Sequence, residues 1–315
     1  MRVLVTGASG LLGRAVYQNF KKNGHEVTHT VSLRSIVIGT AHSRANGDLV
    51  KLDLTLESNV KEFVDAHKPD AIIHCAAERR PDVAEKDQTG TEFLNVQVPK
   101  DIAKISKANG IFLIYISTDY VFDGTQPPYH AIGGEPNPLN FYGKTKLAGE
   151  KAIQEVYPEA TILRVPILYV GEGLYGKTEY NGESAVNTLV DVVMNQSKPS
   201  KMDDVAVRYP TNVEDVARVL VDLTSAKLEQ GKDIHGVYHF SSEKSYTKYA
   251  MCQTFAKALH VPLEHVEPVD TSNDAGSASR PKDAHLSNDR LEQSGISTFN
   301  VDFDTWWNRH IKPSK

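Results

Sequence analysis

Cysteine is scarce in this chain, which carries only Cys75 and Cys252 among its 315 residues. Two cysteines provide neither a disulfide framework nor a cysteine-ligated metal centre, and we therefore expect a reducing compartment. No apolar run approaches the ~18 residues that a membrane-spanning helix needs. Because the first predicted strand begins at Arg2, we also expect no secretory signal. These absences predict a cytoplasmic protein with no membrane segment.

A large excess of charge is also lacking. The formal net charge is −5, whereas proteins that bind nucleic acids usually carry a basic stripe. The histidines show no metal-ligand spacing, so no metal site is predicted. Hydrophobic residues make up 40% of the chain and charged residues 24%, which is typical of a globular protein. The composition therefore predicts a globular protein with neither a nucleic-acid partner nor a metal.

Apolar and amphipathic segments alternate through the first half of the sequence. The predicted strands are Arg2–Val5, Glu26–Val31, Ala71–Cys75, Phe112–Ser117 and Thr161–Val165, and the helices between them are Leu11–Lys22, Ser58–His67, Thr91–Asn109 and Tyr142–Val156. Such alternation produces a parallel sheet with helices on both faces. We predict an α/β protein, a Rossmann-type doubly wound parallel sheet with a smaller C-terminal α/β lobe.

The alternation weakens after Pro166. A glycine-rich stretch follows, and helices are predicted near Ser184–Asn195, Val213–Leu223 and Thr247–Ala258. We therefore predict a nucleotide-binding Rossmann domain at residues 1–165. Residues 166–315 are predicted to form mainly a substrate or partner lobe, with some segments returning to the first domain.

A dinucleotide-binding turn is predicted directly after the first strand. Glycine recurs at every third position, at Gly7, Gly10 and Gly13. Gly7 permits the tight turn, Gly10 lets a pyrophosphate approach the backbone, and Gly13 lets the helix pack closely on the strand. The pyrophosphate would lie at the helix N-terminus, although an ordinary strand-to-helix turn is the alternative. The residues predicted to bind the cofactor here are Gly7, Ser9, Gly10, Leu11, Leu12 and Gly13.

The second strand should determine which nicotinamide cofactor binds. An Asp or Glu after that strand binds the 2′-hydroxyl of NAD, whereas an Arg accommodates the 2′-phosphate of NADP. No acidic residue lies between Glu26 and Asp48, whereas Arg34 lies in a Ser-Leu-Arg-Ser segment and Arg44 follows further along. We predict NADP(H) rather than NAD(H), with Arg34 at the phosphate. The alternative is that Arg34 is a solvated loop residue.

Other residues complete the predicted cofactor site. Asp53 follows the strand-like segment Leu49–Leu52, so its carboxylate could accept from the adenine amino group or cap the next helix. Leu54, Ala76, Ala77 and Pro166 are further predicted cofactor-binding residues.

Tyr142 and Lys146 form the predicted catalytic pair. They are four residues apart in a predicted helix and therefore project from one face. An ammonium beside a phenol favours the phenolate, so Lys146 is expected to lower the pKa of Tyr142. Tyr142 would protonate a carbonyl oxygen as hydride arrives, and Lys146 would also hold the nicotinamide ribose. Ser117 and Thr118, at the ligand-binding end of a strand, could polarise the same carbonyl.

Several arginines are candidates for binding an anionic substrate. Glu78, Arg79 and Arg80 follow a predicted strand, where two guanidiniums could clamp a phosphate or carboxylate. The alternative is a surface ion-pair cluster of these residues with neighbouring carboxylates. Arg208 and Arg280, in the smaller lobe, could meet an anionic substrate or be solvated.

These motifs together resemble a known family. The glycine turn with Tyr142 and Lys146 resembles the extended short-chain dehydrogenase/reductases, and the segments Ser117–Gly124 and Leu139–Leu147 are similar to the dTDP-4-dehydrorhamnose reductase branch. That resemblance implies that Thr118, Tyr142 and Lys146 are the catalytic positions. It also implies an NADPH-dependent reductase acting on a 4-keto nucleotide sugar or similar carbonyl.

A narrower resemblance extends over nearly the whole chain. The segments Ala76–Val83, Pro166–Tyr169, Tyr209–Val213 and Arg280–Ala284 are similar to the regulatory β subunits of methionine adenosyltransferase. This resemblance implies an NADP-binding regulatory subunit whose partner is the methionine adenosyltransferase catalytic subunit, in support of S-adenosylmethionine synthesis. The reductase remains the alternative. The segment Ser35–Gly47 is interpreted as a loop that is longer than the corresponding loop of the family that the chain resembles.

Overall fold

A computed structural model describes residues 1–23, 36–42, 44–45, 47–170, 181–270 and 278–311. Within these ranges a seven-stranded sheet forms the centre of the protein, in the order β10-β6-β5-β4-β1-β2-β3. The strands are β1 (Arg2–Thr6), β2 (Ile36–Ala41), β3 (Val50–Lys51), β4 (Ala71–His74), β5 (Phe112–Thr118), β6 (Thr161–Val165) and β10 (Gly236–His239). All paired neighbours are parallel. The predicted Rossmann-type doubly wound sheet is confirmed.

Helices cover both faces of this sheet. The helices in the described ranges, including those that pack away from this sheet, are α1 (Leu11–Asn23), α2 (Glu57–His67), α3 (Pro81–Lys86), α4 (Gln88–Glu92), α5 (Val98–Ala108), α6 (Phe141–Val156), α7 (Thr188–Met194), α8 (Val213–Leu228), α9 (Lys248–Leu259), α10 (Asp289–Gln293) and α11 (Phe303–His310). A π-helical turn, Phe93–Gln97, joins α4 to α5. None of the helices in the described ranges has the length and apolar character needed to cross a bilayer.

Alternate side chains of β1 point into two different hydrophobic cores. Val3 and Val5 pack in a cluster with Val16 of α1 and Leu220 of α8, whereas Leu4 packs on the opposite face with residues of α2 and α5. A strand has this period of two because successive side chains leave opposite faces of the sheet. Burial on both faces explains why the predicted strands are apolar throughout.

The segment Ser35–Gly47 contains strand β2, so the interpretation of this segment as a loop is wrong. Ile36 to Thr40 pair with Arg2 to Thr6 in parallel register. The β-branched residues Ile36, Val37 and Ile38 favour this strand. The predicted strand Glu26–Val31 and the predicted phosphate-binding Arg34 lie outside the described residues. The described residues that follow the carboxyl end of β2 therefore include His42 and Arg44.

The residues after Pro166 form additional pairs of strands and an aromatic core. β7 (Leu168–Tyr169) pairs with β9 (Thr211–Asn212), and β8 (Ser200–Asp203) pairs with β11 (Val266–Val269). Tyr169 packs in one cluster with Phe255 of α9 and with Phe303 and Trp307 of α11. Strand β10 lies beside β6 in the main sheet. The domain boundary at residues 165 and 166 stays a prediction.

Candidate functional site

A cavity of about 550 Å³ lies at the carboxyl ends of the central strands. The glycine turn after β1 forms one wall, and the residues that follow β2, β4, β5 and β6 form the others. In the main sheet β2 and β4 flank β1 on opposite sides, so the strand order reverses at β1. Ligands of open α/β sheets bind at such a reversal, because the loops on either side of it diverge.

Glycine is required at two positions of the turn. Gly7 has a φ of +68°, and a Cβ atom there would lie 2.8 Å from the backbone nitrogen of Ala76. A Cβ atom on Gly13 would overlap the carbonyl oxygen of Gly7 and lie 2.8 Å from its carbonyl carbon. The turn therefore packs backbone against backbone, which keeps the start of α1 beside the cavity.

Nearly all of the residues predicted to bind the cofactor meet around this cavity. Those in its wall are Gly7, Ser9, Gly10, Leu11, Leu12, Gly13, Asp53, Leu54, Ala76, Ala77, Tyr142, Lys146 and Pro166. Their roles stay predictions, as does that of Arg34 outside the described residues. Asp53 accepts hydrogen bonds from the backbone nitrogen and hydroxyl of Thr55, at 2.9 and 2.6 Å. Asp53 is therefore not the cap of α2, which begins after Leu56.

A charged cluster that the sequence did not predict lies at the β2 end of the cavity. The carboxylate of Glu183 binds the guanidinium of Arg14, at 2.6 Å, and also that of Arg44. Only 10% of the Glu183 side chain is exposed. Because a buried carboxylate needs a compensating charge, the two arginines stabilise it in this position. Glu183 and Arg44 both line the cavity. No local pattern indicates this contact, because Glu183 is 169 residues from Arg14 in the chain.

The opposite end of the cavity carries the predicted reactive hydroxyls. Thr118, Asp119 and Tyr142 all line it, and the Thr118 hydroxyl donates to the Asp119 carboxylate at 2.9 Å. Burial raises the pKa of Asp119 to about 6, although the hydrogen bond from Thr118 opposes this shift. Burial also raises the pKa of Tyr142 above its usual value, and the nearby Thr118 hydroxyl opposes that rise. Tyr142 is therefore a neutral phenol with a hydrogen to donate.

Lys146 lies close to the Tyr115 ring and to the backbone of Ile116. Its ammonium donates to the carbonyl oxygen of Ile116 at 2.7 Å and lies 3.9 Å from the centroid of the Tyr115 ring. Burial lowers the pKa of Lys146 from 10.5 to about 7, and the charge of Glu150 opposes this. Burial dominates the pKa of both groups in this arrangement, so the net shift of Tyr142 is upward and not the downward shift expected from Lys146.

A buried ion pair lies behind Lys146. The Arg164 guanidinium binds the two carboxylate oxygens of Glu150 at 2.9 and 2.6 Å, and the side chains are only 5% and 2% exposed. Nδ1 of His239 lies 3.1 Å from the carbonyl oxygen of Tyr129, and Nε2 lies 3.3 Å from Arg164. Because a carbonyl only accepts, Nδ1 carries the hydrogen and Nε2 accepts from Arg164.

The residues predicted to bind an anionic substrate are placed differently from one another. Arg79 lines the cavity, whereas Arg80 binds Glu78 through two nitrogens, at 2.9 and 2.7 Å. Arg208 is buried and donates to the carbonyl oxygens of Val207 and Pro281. Arg280 binds Asp82 at 2.9 Å. The cavity wall includes none of Glu78, Arg80, Arg208 and Arg280.

The described part of the chain holds no group of three or more His, Cys, Asp or Glu side chains placed to bind a metal ion. His74 illustrates why a histidine near the site need not be a ligand. It is buried, Nδ1 lies 2.7 Å from the Thr6 hydroxyl, and burial lowers its pKa to about 3. His74 is therefore a neutral, buried residue of β4 that contacts Thr6 of the neighbouring strand β1.

Comparison with known proteins adds sequence and structural relatives. A profile described as the RmlD substrate binding domain matches residues 1–308. Methionine adenosyltransferase 2 subunit beta of Xenopus laevis is 42% identical over 295 residues, which cover 94% of this chain and 83% of the relative. A dTDP-4-keto-6-deoxy-D-glucose reductase of Streptomyces niveus is 30% identical over 297 residues, covering 94% and 92%. The crystal structure of dTDP-4-dehydrorhamnose reductase from Bacillus anthracis in complex with NADP superposes with a TM-score of 0.79, at 25% identity, over 98% of both chains.

Proposed function

Since this chain belongs to the RmlD substrate binding domain family, and within it to the relatives of methionine adenosyltransferase 2 subunit beta, we propose that it is an NADP-binding regulatory subunit. Its partner would be the catalytic subunit of methionine adenosyltransferase, and it would support S-adenosylmethionine synthesis. The observation that carries this proposal is the 42% identity over 94% of the chain. Identity at this level over both lobes extends well beyond the glycine turn and the Tyr/Lys pair that the superfamily shares.

The proposed docking is tested directly with purified proteins. On size-exclusion chromatography, this chain is expected to co-elute with the methionine adenosyltransferase catalytic subunit of the same organism at micromolar concentration. The control is the Bacillus anthracis dTDP-4-dehydrorhamnose reductase, which has the same fold and should elute separately from the catalytic subunit. Separate elution of this chain as well would contradict the regulatory role.

The cavity is suited to a nicotinamide dinucleotide. The glycine turn leaves no room for side chains beside the start of α1, and backbone N–H groups at a helix N-terminus favour a pyrophosphate. Arg44 would hold the 2′-phosphate of NADP, because it follows β2 and its guanidinium lies at that end of the cavity. Glu183, bound to Arg14 and Arg44, would fix the position of this arginine. A neighbouring fold in complex with NADP supports this cofactor.

Replacing Arg44 by alanine is expected to weaken the binding of NADPH but not that of NADH. The Kd for NADPH should rise about tenfold or more, because a charge-assisted hydrogen bond to the phosphate is lost. The Kd for NADH should change little, since NADH has no 2′-phosphate. Fluorescence titration of both cofactors measures this difference. An equal loss of affinity for NADH would mean that Arg44 supports the turn rather than the phosphate.

A reductase is the second candidate, favoured by the grouping of Thr118, Tyr142 and Lys146 in one cavity wall. The bound cofactor would supply hydride to a carbonyl carbon. Tyr142 retains its hydrogen because burial raises its pKa, so it would donate a proton to the carbonyl oxygen. Lys146 would hold the ribose of the cofactor. The carbonyl substrate proposed for this activity is a 4-keto nucleotide sugar or a similar compound.

Any reductase activity should depend strongly on the Tyr142 hydroxyl. Tyr142→Phe is expected to lower kcat about 100-fold or more, because a positioned proton donor contributes at least that much. The Kd for NADPH should change little. NADPH oxidation with a panel of keto sugars measures this effect. The matched control is Tyr157→Phe, just after the other end of α6, where the hydroxyl donates to the carbonyl oxygen of Ile111. Equal rates for the wild type and Tyr142→Phe would exclude the proton-donor role.

A further inference from the structure

Arg79 and Arg80 are adjacent in sequence, but their guanidiniums have different surroundings. Arg80 is engaged by Glu78 through Nε and Nη2. Within the described residues, the Arg79 guanidinium makes no hydrogen bond, and no carboxylate lies within 4.0 Å of it. The Arg79 side chain is exposed and lines the cavity. Of the two, only Arg79 is therefore available to a ligand.

Arg79 lies at the reactive end of the cavity. Arg79 lies just before α3, and Glu85 of α3 accepts a hydrogen bond at 2.8 Å from the backbone nitrogen of Phe141, the neighbour of Tyr142. Arg79 and Tyr142 both line the cavity. The Glu183 carboxylate also acts on the Arg79 charge, but Arg14 and Arg44 already bind that carboxylate. The other basic side chain at this end, Lys146, donates to the carbonyl oxygen of Ile116 and lies over the Tyr115 ring. Arg79 is therefore the cation at this end with donors that face the cavity and have no acceptor among the described residues.

The position of Arg79 limits the chemistry of the group that it would bind. A guanidinium presents a planar fork that matches a carboxylate through two parallel hydrogen bonds. Because Arg79 and Tyr142 lie on neighbouring segments of the cavity wall, that carboxylate would lie near the carbonyl whose oxygen faces the Tyr142 hydroxyl. A nucleotide sugar carries its negative charge on the diphosphate, on the far side of the sugar ring from a 4-keto group. The arrangement therefore fits a small molecule whose carboxylate and carbonyl are adjacent.

We propose that the cavity contains a subsite for a 2-oxo carboxylate, in which Arg79 binds the carboxylate and Tyr142 faces the neighbouring carbonyl oxygen. This subsite rests on the proposed cofactor site, because the nicotinamide end of a bound dinucleotide would complete its wall. It differs from the proposed 4-keto sugar site in placing the negative charge beside the carbonyl. It does not depend on whether the chain also docks on a catalytic subunit.

The test is a ligand-observed NMR titration of pyruvate into the full chain loaded with NADP⁺. Pyruvate is expected to bind the wild type, whereas pyruvamide, the neutral compound of the same shape, should bind at least about tenfold more weakly. Arg79→Gln should weaken pyruvate binding about tenfold or more, and Arg79→Lys several-fold, because lysine keeps the charge but lacks the fork. The matched control is Arg80→Lys, which keeps a cation beside Glu78 and should leave the Kd for pyruvate unchanged.

Three results would overturn the proposal. The first is the same Kd for pyruvate in the wild type and Arg79→Gln, and the second is the absence of pyruvate binding to the NADP⁺-loaded wild type. The third is Arg79-dependent binding of inorganic phosphate in place of pyruvate, which would make the subsite a phosphate site. Calorimetric titration of NADP⁺ alone tests the cofactor site independently. If the cofactor site itself is absent, the wild type will not bind NADP⁺; if only the pyruvate subsite is absent, NADP⁺ will still bind.

Discussion

Gly13→Ala is expected to raise the Kd for NADPH by about 100-fold or more, or to prevent folding of the turn altogether. The added Cβ would overlap the carbonyl oxygen of Gly7 and approach its carbonyl carbon to 2.8 Å. Both atoms belong to the backbone, so no flexible side chain can move aside. The start of α1 must then shift away from β1, and the backbone N–H groups that would bind the pyrophosphate lose their positions. Two charge-assisted hydrogen bonds lost in this way account for about this factor.

The control for this substitution is Gly182→Ala. A Cβ atom on Gly182 meets nothing within 4 Å, and this glycine does not have a positive φ. NADPH affinity and the urea midpoint should both stay at the wild-type values. Fluorescence titration and urea unfolding measure the two quantities. If Gly13→Ala binds NADPH as the wild type does, the close packing of α1 on the turn has no part in cofactor binding.

Glu150→Gln is expected to lower the free energy of unfolding by about 3–5 kcal/mol, because it leaves the charge of Arg164 buried without a counter-ion. Arg164 and Glu150 are 5% and 2% exposed, so water cannot replace the lost carboxylate. His239 does not take over this role, since its Nε2 accepts only one hydrogen bond from Arg164 and burial keeps the ring neutral. Urea unfolding without added cofactor measures the change.

A second variant distinguishes a lost counter-ion from a packing defect. Replacing both Glu150 and Arg164 by methionine removes both charges, so the double variant should be more stable than Glu150→Gln. The exposed pair Lys61 and Asp65, whose side chains are 65% and 46% exposed, is the control. Lys61→Gln should leave the unfolding midpoint unchanged, since water screens this pair. A double variant less stable than Glu150→Gln would contradict the explanation by charge.

The fold was predictable because its signals are local. The apolar runs that became β1, β4, β5 and β6 each extend over a few consecutive residues, and strands buried on both faces need such runs. Strand β2 is not predicted from the sequence, because the chain carries two apolar segments before Asp48 and the local pattern does not indicate which of them pairs with β1. The pairing of Ile36–Ala41 with β1 depends on how the whole sheet assembles.

The contacts and protonation states of the site residues were less predictable than the identity of the residues that line the cavity. The spacing of Tyr142 and Lys146 predicts that they project from one face of a helix, and both line the cavity, but the spacing does not reveal that Lys146 contacts Ile116 and Tyr115. Burial then determines the protonation of both groups, and burial depends on every element that packs around them. A spacing rule describes one helix and contains no information about its neighbours.

The sequence by itself determined the glycine turn, the helix that carries Tyr142 and Lys146, and the strands β1, β4, β5 and β6, because each follows from residues within one turn, one helix or one strand. Only the tertiary structure decided that Glu183 binds Arg14 and Arg44, and that Arg79 faces the cavity while Arg80 binds Glu78. The physical reason is that an ion pair forms wherever folding brings its charges together. Arg14 and Glu183 are 169 positions apart in the chain, so no local sequence pattern predicts their contact.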